Sequence, residues 1–329
     1  MGTQAPRHSF RLFVLSVALL SVFFISLFIG RYPVSLRSLY SQDLGTEILM
    51  KIRLPRIMMA ALLGMALSTS GAALQSAFRN PLVGPGILGV TQGAAFGAAF
   101  SILFLSNYPL VVEVSATLFA LLALIMAYSM SRAVRYGENT LKLILGGMVV
   151  SALFSGGIGV MKSMADPLKQ LPELTFWMLG GLSGTVWRDF YFALPPAMSG
   201  IIVLFLMRWR LNLLTLDDEV ALSLGVDPGR LRALTVLAAV VSIAVVTSVS
   251  GPIGWMGLIV PHIVRKLFGI DNRRVITASA LMGASLMVVF DDIARTLTPG
   301  EIPLGVAVSI LGAPLFLFLL SRREVVTSG

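Results

Sequence analysis

The side chains of this sequence that could do chemistry are few, and their spacing suits contacts better than reactions. Cysteine is absent and only His8 and His262 could supply imidazole, which excludes disulfides, thiolate metal sites and cysteine nucleophiles together. His262 follows Pro261 inside an apolar run, a setting for a satisfied or kink-associated ring rather than a catalytic one. No GxxxxGK[ST] loop is present to cradle a nucleotide phosphate, and neither HExxH nor GxSxG occurs. The expectation is a chain without a catalytic centre, a bound metal or a cofactor of its own.

What remains is charge at particular places. Arg53 and Arg56 bracket the short run RLPR, and Arg295 follows Asp291 and Asp292 at spacings of four and three, which suit a local helical ion pair. Asp217, Asp218 and Glu219 open DDEVALSLGV, a pattern for a short amphipathic helix with acids at its positive end. Lys162 stands among Met161, Met164 and apolar neighbours. It reads as a snorkelling lysine or as a cation for a carboxylate-rich ligand.

The elements that must position these residues are membrane helices. The chain has 329 residues, of which 56% are hydrophobic and 12% charged, against about 25% charged in soluble domains. A bilayer core takes about 20 apolar residues per span. Apolar runs place helices at about 10–30, 56–79, 86–106, 110–133, 141–164, 191–208, 230–249, 253–268, 275–295 and 304–321. This is an all-α polytopic chain forming one transmembrane domain over 1–329, with an outward loop at 31–55, an irregular outward segment at 165–190 and a polar inward segment at 211–229. Arg7 and Arg11 precede the apolar run from Phe13 to Ile29, which is too long for a cleavable signal core and reads as a retained first helix. Gly93 and Gly97 give a GxxxG face for close helix packing.

With both termini inside, sixteen of the 25 Lys and Arg fall in cytoplasmic segments, as the positive-inside rule requires. The net charge of +9 then follows from membrane topology and implies no nucleic acid. Of the remaining nine basic residues, Arg31, Arg37, Lys51, Arg53 and Arg56 crowd into one outward loop, against that rule. A basic patch there would steer an acidic partner or an anionic substrate, or bind lipid phosphates.

The motifs RLPR (53–56), RNPLVGPGILGVTQGA (79–94), SGPIGWMGLIVPHIVRKLFG (250–269), ITASALMGASLMVVFDDIAR (276–295) and EIPLGVAVSILGAPLFLFLL (301–320) run in order along nearly the whole chain. In them the sequence resembles the permease subunits of iron-siderophore, haem and cobalamin ABC importers, the FecCD-type or type II importers. The resemblance implies a cobalamin-importer-permease-like fold of about ten helices. It also implies a homodimer in a bacterial or archaeal cytoplasmic (inner) membrane. Two ATP-binding cassette subunits would work inside with Mg-ATP, and a periplasmic or extracellular substrate-binding protein would dock outside.

Site by site, the resemblance assigns docking of the binding protein to Arg53, Arg56 and Arg295. It assigns the cytoplasmic gate of the translocation path to Asn80 and Leu82 with Asn139 and Thr140, whose side chains could seal an axis without fixed charge. As local chemistry alone, Asn139 also suits a helix cap and Asn80 a turn. Coupling to the ATPase falls to Asp217, Asp218 and Glu219 on a basic rim, and to Ala221, Leu224, Gly225 and Val226 in a groove. The cargo would be a ferric siderophore or another metal chelate such as haem or cobalamin. An oxyanion importer, for molybdate for example, and an ion-gradient-driven secondary transporter are the alternatives. A membrane-embedded enzyme lacks its expected residues.

Overall fold

The computed structural model of the protein describes residues 5–34, 44–134 and 139–321, and among them every regular element is helical. The elements are α1 (Ala5–Phe28), α2 (Leu44–Glu47), α3 (Leu54–Ala77), α4 (Val90–Phe100), α5 (Pro109–Ala133), α6 (Asn139–Met164), α7 (Gln170–Leu179), α8 (Trp187–Met207), α9 (Asp218–Ser223), α10 (Pro228–Ser250), α11 (Met256–Phe268), α12 (Asn272–Thr296) and α13 (Leu304–Ser321). Among the described residues, eight helices are long and apolar enough to cross a membrane. The other two expected spans are the shorter Val90–Leu105 and Met256–Phe268. Backbone breaks shorten both: Gly89 before α4 has φ +79°, and Trp255 before α11 has φ +67°.

α3 is the axle of the bundle. It packs against α12, α10, α11 and α8, and most of its residues are buried, whereas α1 is largely exposed. A helix apolar on all sides belongs inside a bundle, and small residues let the neighbours close on it. A Cβ placed on Gly64 would lie 2.1 Å from the Gly283 carbonyl of α12, so the two backbones touch where a side chain would hold them apart. The GxxxG face does the same on α4. Cβ atoms on Gly93 and Gly97 would meet the Phe119 and Ser115 carbonyls of α5 at 2.6 and 2.5 Å, and Ser115 donates to the Gly97 carbonyl at 2.7 Å.

Two expected boundaries move. The loop drawn over 31–55 is helical from Leu44, because α2 runs through a π-helical stretch, Ile48–Arg53, straight into α3. Lys51 and Arg53 had concealed this helix by interrupting the apolar run. The irregular segment 165–190 contains α7, a helix too short to span. Its end is tied to two other elements: Gly181 donates to the Ser250 carbonyl at 2.7 Å, and Gly305 donates to the Gly180 carbonyl at 3.0 Å.

Candidate functional site

Two constellations stand at opposite ends of α3, about 36 Å apart by helix rise. At its N-terminal end the three expected docking arginines are present, but buried: Arg53 is 5%, Arg56 8% and Arg295 6% exposed. Each guanidinium is occupied within the chain. Arg56 grips Asp291 through Nε and Nη2 at 2.9–3.1 Å, and its Nη1 meets the Glu301 carboxylate at 2.9 Å. Arg295 pairs with Asp292 and donates to the Ser26 carbonyl at 2.7 Å, while Ser26 Oγ donates to Asp292 at 2.6 Å. Arg53 donates to the carbonyls of Leu27 and Tyr32. The planar fork of arginine suits this bidentate duty.

This network clasps α1, α3 and α12 together at the N-terminal end of α3, and it reduces the basic patch read from the sequence. Arg31 and Lys51 are its exposed members, one donating to the Thr298 carbonyl and the other paired with Glu47 at 2.8 Å. Arg37 lies outside the described residues. Beside the clasp is a cavity of about 380 Å³ lined by Arg56, Glu113, Glu173, Trp177 and Glu301. Glu113, on α5, is 5% exposed and lies 3.7 Å from Arg188, which also pairs with Asp189. Sequence reasoning passed over Glu113 because one acid in an apolar run has no spacing signature. Lys162 is half-buried at the far end of α6, with Met161 buried and Met164 exposed.

At the C-terminal end of α3 the chain turns sharply. Arg79 adopts φ +48°, the left-handed conformation rarely taken by a bulky residue. Asn80 Oδ1 accepts the Leu82 N–H at 2.9 Å, the local turn its type favours. Asn80 and Leu82 are exposed. The turn continues into the 3₁₀ helix Pro85–Leu88, which packs on α6, where a Cβ on Gly147 would lie 2.4 Å from the Ile87 carbonyl. Asn139 is the first residue of α6 and Thr140, half-buried, the second. The 3₁₀ helix that follows the Asn80–Leu82 turn therefore contacts α6, the helix that Asn139 and Thr140 open.

The polar segment 211–229 folds as a 3₁₀ helix, Arg210–Thr215, followed by α9. Its acids do not all face outward. Asp217 pairs with Arg79 at 3.0 Å, and Asp218 pairs with Arg232 of α10 at 3.0 Å and Arg79 at 3.8 Å. Glu219 is exposed and makes no ion pair among the described residues. Ala221 is 1% exposed and Val226 packs against the core, so both face this chain rather than a partner's groove. Leu224 is exposed as expected, but its apolar companions are Val220 and Leu222, at 45% and 58%. Gly225 closes the helix at φ +79° with open space around it.

Arg232 and Arg265, which read in the sequence only as inward charges, prove to reach the C-terminal turns of α3, Arg232 as a cap and Arg265 one turn earlier. Arg232 donates to the Ala77 carbonyl at 3.0 Å and Arg265 to the Ala72 carbonyl at 3.2 Å. Cations belong at the negative end of a helix. Asn212 and Asp271 complete this floor: the Asn212 amide donates to Asp271 at 2.9 Å and its oxygen accepts the Asn272 N–H at 2.8 Å.

Comparison with known proteins gives this geometry its context. The sequence pattern of the FecCD transport family matches residues 18–322. A probable iron chelatin transport system permease protein of Helicobacter pylori is 42% identical, over 87% of this chain and 86% of its own length. The molybdate import system permease protein MolB of Haemophilus influenzae is 37% identical over 93% of both chains. A solved structure described as an inward-facing metal-chelate type ABC transporter superposes with a TM-score of 0.89 at 36% identity, covering 95% of this chain and 99% of that one.

Proposed function

We infer that this chain, which belongs to the FecCD transport family, is the multi-pass permease subunit of a binding-protein-dependent ABC importer whose cargo is a ferric siderophore or a related metal chelate. The chain is a transport subunit, not itself an enzyme. Two copies pair about a shared axis in the cytoplasmic membrane, with both termini and α9 on the cytoplasmic side. Two ATP-binding cassette subunits carry Mg-ATP there, and a substrate-binding protein docks at the end bearing Arg56.

The observation that carries this reading is the exposure of Val220, Leu222 and Leu224 around a single-turn helix and its cap, at a bundle end tied by ion pairs to two other elements. A short helix with exposed apolar side chains at a bundle end suits insertion into a groove of a partner. Closure of the ATPases would move α9. Asp217 would pass that movement to Arg79 and the gate turn at Asn80 and Leu82, and Asp218 would pass it to Arg232 and α10. Alternating access then follows from rigid helices rocking about contacts of this kind.

At the other end, docking uses the arginine clasp as a counter-charge. Glu301 is the more exposed partner of Arg56, so an acidic side chain of the binding protein can join that guanidinium while Asp291 keeps it in place. Arg53 and Arg295 act in the same clasp.

Likeness to MolB favours an oxyanion cargo as the second reading. Mass spectrometry of the ligand retained by the cognate binding protein separates the two: an iron-bearing chelate supports the first and a free oxyanion the second. The permease role is tested in proteoliposomes holding the chain with its ATPase. Loaded binding protein should accelerate ATP hydrolysis, and an unaltered rate would contradict the role.

A further inference from the structure

A second cavity, of about 550 Å³, opens at the α9 end between the last turns of α5 and the first turns of α6 and α10. It is built in two halves. Leu124, Ile125, Leu143 and Val236 make an apolar wall, while Arg132, Lys142 and Arg232 make a basic rim, and among the described residues no carboxylate lines it. The three cations differ in how far they are committed. Arg232 is held by the Ala77 carbonyl and Asp218. Arg132 lies 4.7 Å over the Tyr128 ring and donates to its hydroxyl at 3.2 Å. Lys142 has no hydrogen bond or ion pair among the described residues.

Depth selects the occupant. Leu124 and Val236 lie about 12–14 Å along their helices from the ends at Ala133 and Pro228, beyond the reach of a headgroup layer and into the hydrocarbon. A soluble anion would use only the rim. A segment of a soluble partner would have to enter the bilayer to use the wall. We propose that this cavity holds an anionic phospholipid, its phosphate at Lys142 and Arg132 and an acyl chain along Leu124, Ile125 and Val236. Basic pockets between membrane helices bind such headgroups. The lipid joins α5, α6 and α10 just where α10 leaves the coupling segment, so it stiffens the lever that α9 moves.

The full-length chain is purified, stripped of lipid in detergent and titrated, by native mass spectrometry, with phosphatidylglycerol, phosphatidylcholine or inorganic phosphate. The expected result is a preference of about tenfold or more for phosphatidylglycerol over phosphatidylcholine. Lys142→Gln with Arg132→Gln should abolish this preference. Ala233→Trp, which adds bulk at an exposed position lining the cavity, should weaken both lipids without changing charge. It also decides the matter if the double variant does not fold. An undiminished preference in the double variant, or undiminished lipid binding in Ala233→Trp, overturns the proposal. So does displacement of phosphatidylglycerol by inorganic phosphate at similar concentration, which marks a solute-anion site.

Discussion

Arg79 and Asp217 meet at 3.0 Å, joining the turn that ends α3 to the segment that opens α9. Asp217 is well exposed and Arg79 partly so, at 87% and 29% of the side chain, and ion pairs open to solvent contribute about 0–1 kcal/mol to stability. The pair therefore adds little to stability and serves as a link between the two segments. Arg79→Gly keeps the left-handed turn, which glycine adopts freely, and removes the link. Melting should shift little while ATP-driven uptake falls relative to ATP hydrolysis, and Arg79→Asp with Asp217→Arg should restore part of it. Unchanged uptake by Arg79→Gly would remove this link from the mechanism.

The clasp at the other end makes a different prediction. Arg56→Ala leaves Asp291 buried without its cation, a loss of about 3–5 kcal/mol, visible as a large drop in melting temperature. Glu301→Gln keeps the Asp291 grip and should cost less than about 1 kcal/mol. If Arg53→Glu with Arg56→Glu still yields folded protein, its affinity for the binding protein should fall in a salt-sensitive way.

On α9 the faces can be told apart. Leu222→Glu or Leu224→Glu should leave the permease folded and abolish its co-purification with the ATPase. Ala221→Glu should instead lower expression and melting temperature, because it drives an unpaired charge into this chain's own interior. Equal loss of ATPase association without loss of fold in all three would return Ala221 to the interface.

The α9 end of the bundle should be sensitive to acid. Burial alone would raise the Asp271 carboxyl, but hydrogen bonds from Arg273 and Asn212 outweigh it and hold the group at about 2, below its ordinary 3.8. A depressed folded pKa means that the stabilisation is complete above about pH 4 and is lost as pH falls through about 2. Melting temperature should decline across that window, and Asp271→Asn should remove this part of the decline.

Much of the fold could be read from apolar runs: α5 was expected at 110–133 and spans Pro109–Ala133. Periodicity fails where charge enters a helix. Lys51 and Arg53 hid the helix that begins at Leu44, because hydropathy cannot register that internal carbonyls and carboxylates neutralise an arginine. The same blindness made Arg53 and Arg56, with Arg31, Arg37 and Lys51, look like a free outward patch, whereas the pairing of Arg295 with Asp292 was legible from its spacing. Ala221 was assigned to a partner's groove because residue type says nothing about which side of a single helical turn is covered. Arg232 and Arg265 could not be read as reaching the last turns of α3, since their partners are more than 150 residues away in the chain.

The central claim is that ATP hydrolysed by a partner drives metal-chelate import through this chain. It is tested most directly by uptake of a radiolabelled iron chelate into proteoliposomes that contain the permease, its ATPase and the loaded binding protein. Uptake should require Mg-ATP on the α9 side and binding protein on the Arg56 side, and should persist after ionophores collapse proton and sodium gradients. Uptake without ATP that follows an imposed ion gradient would contradict it.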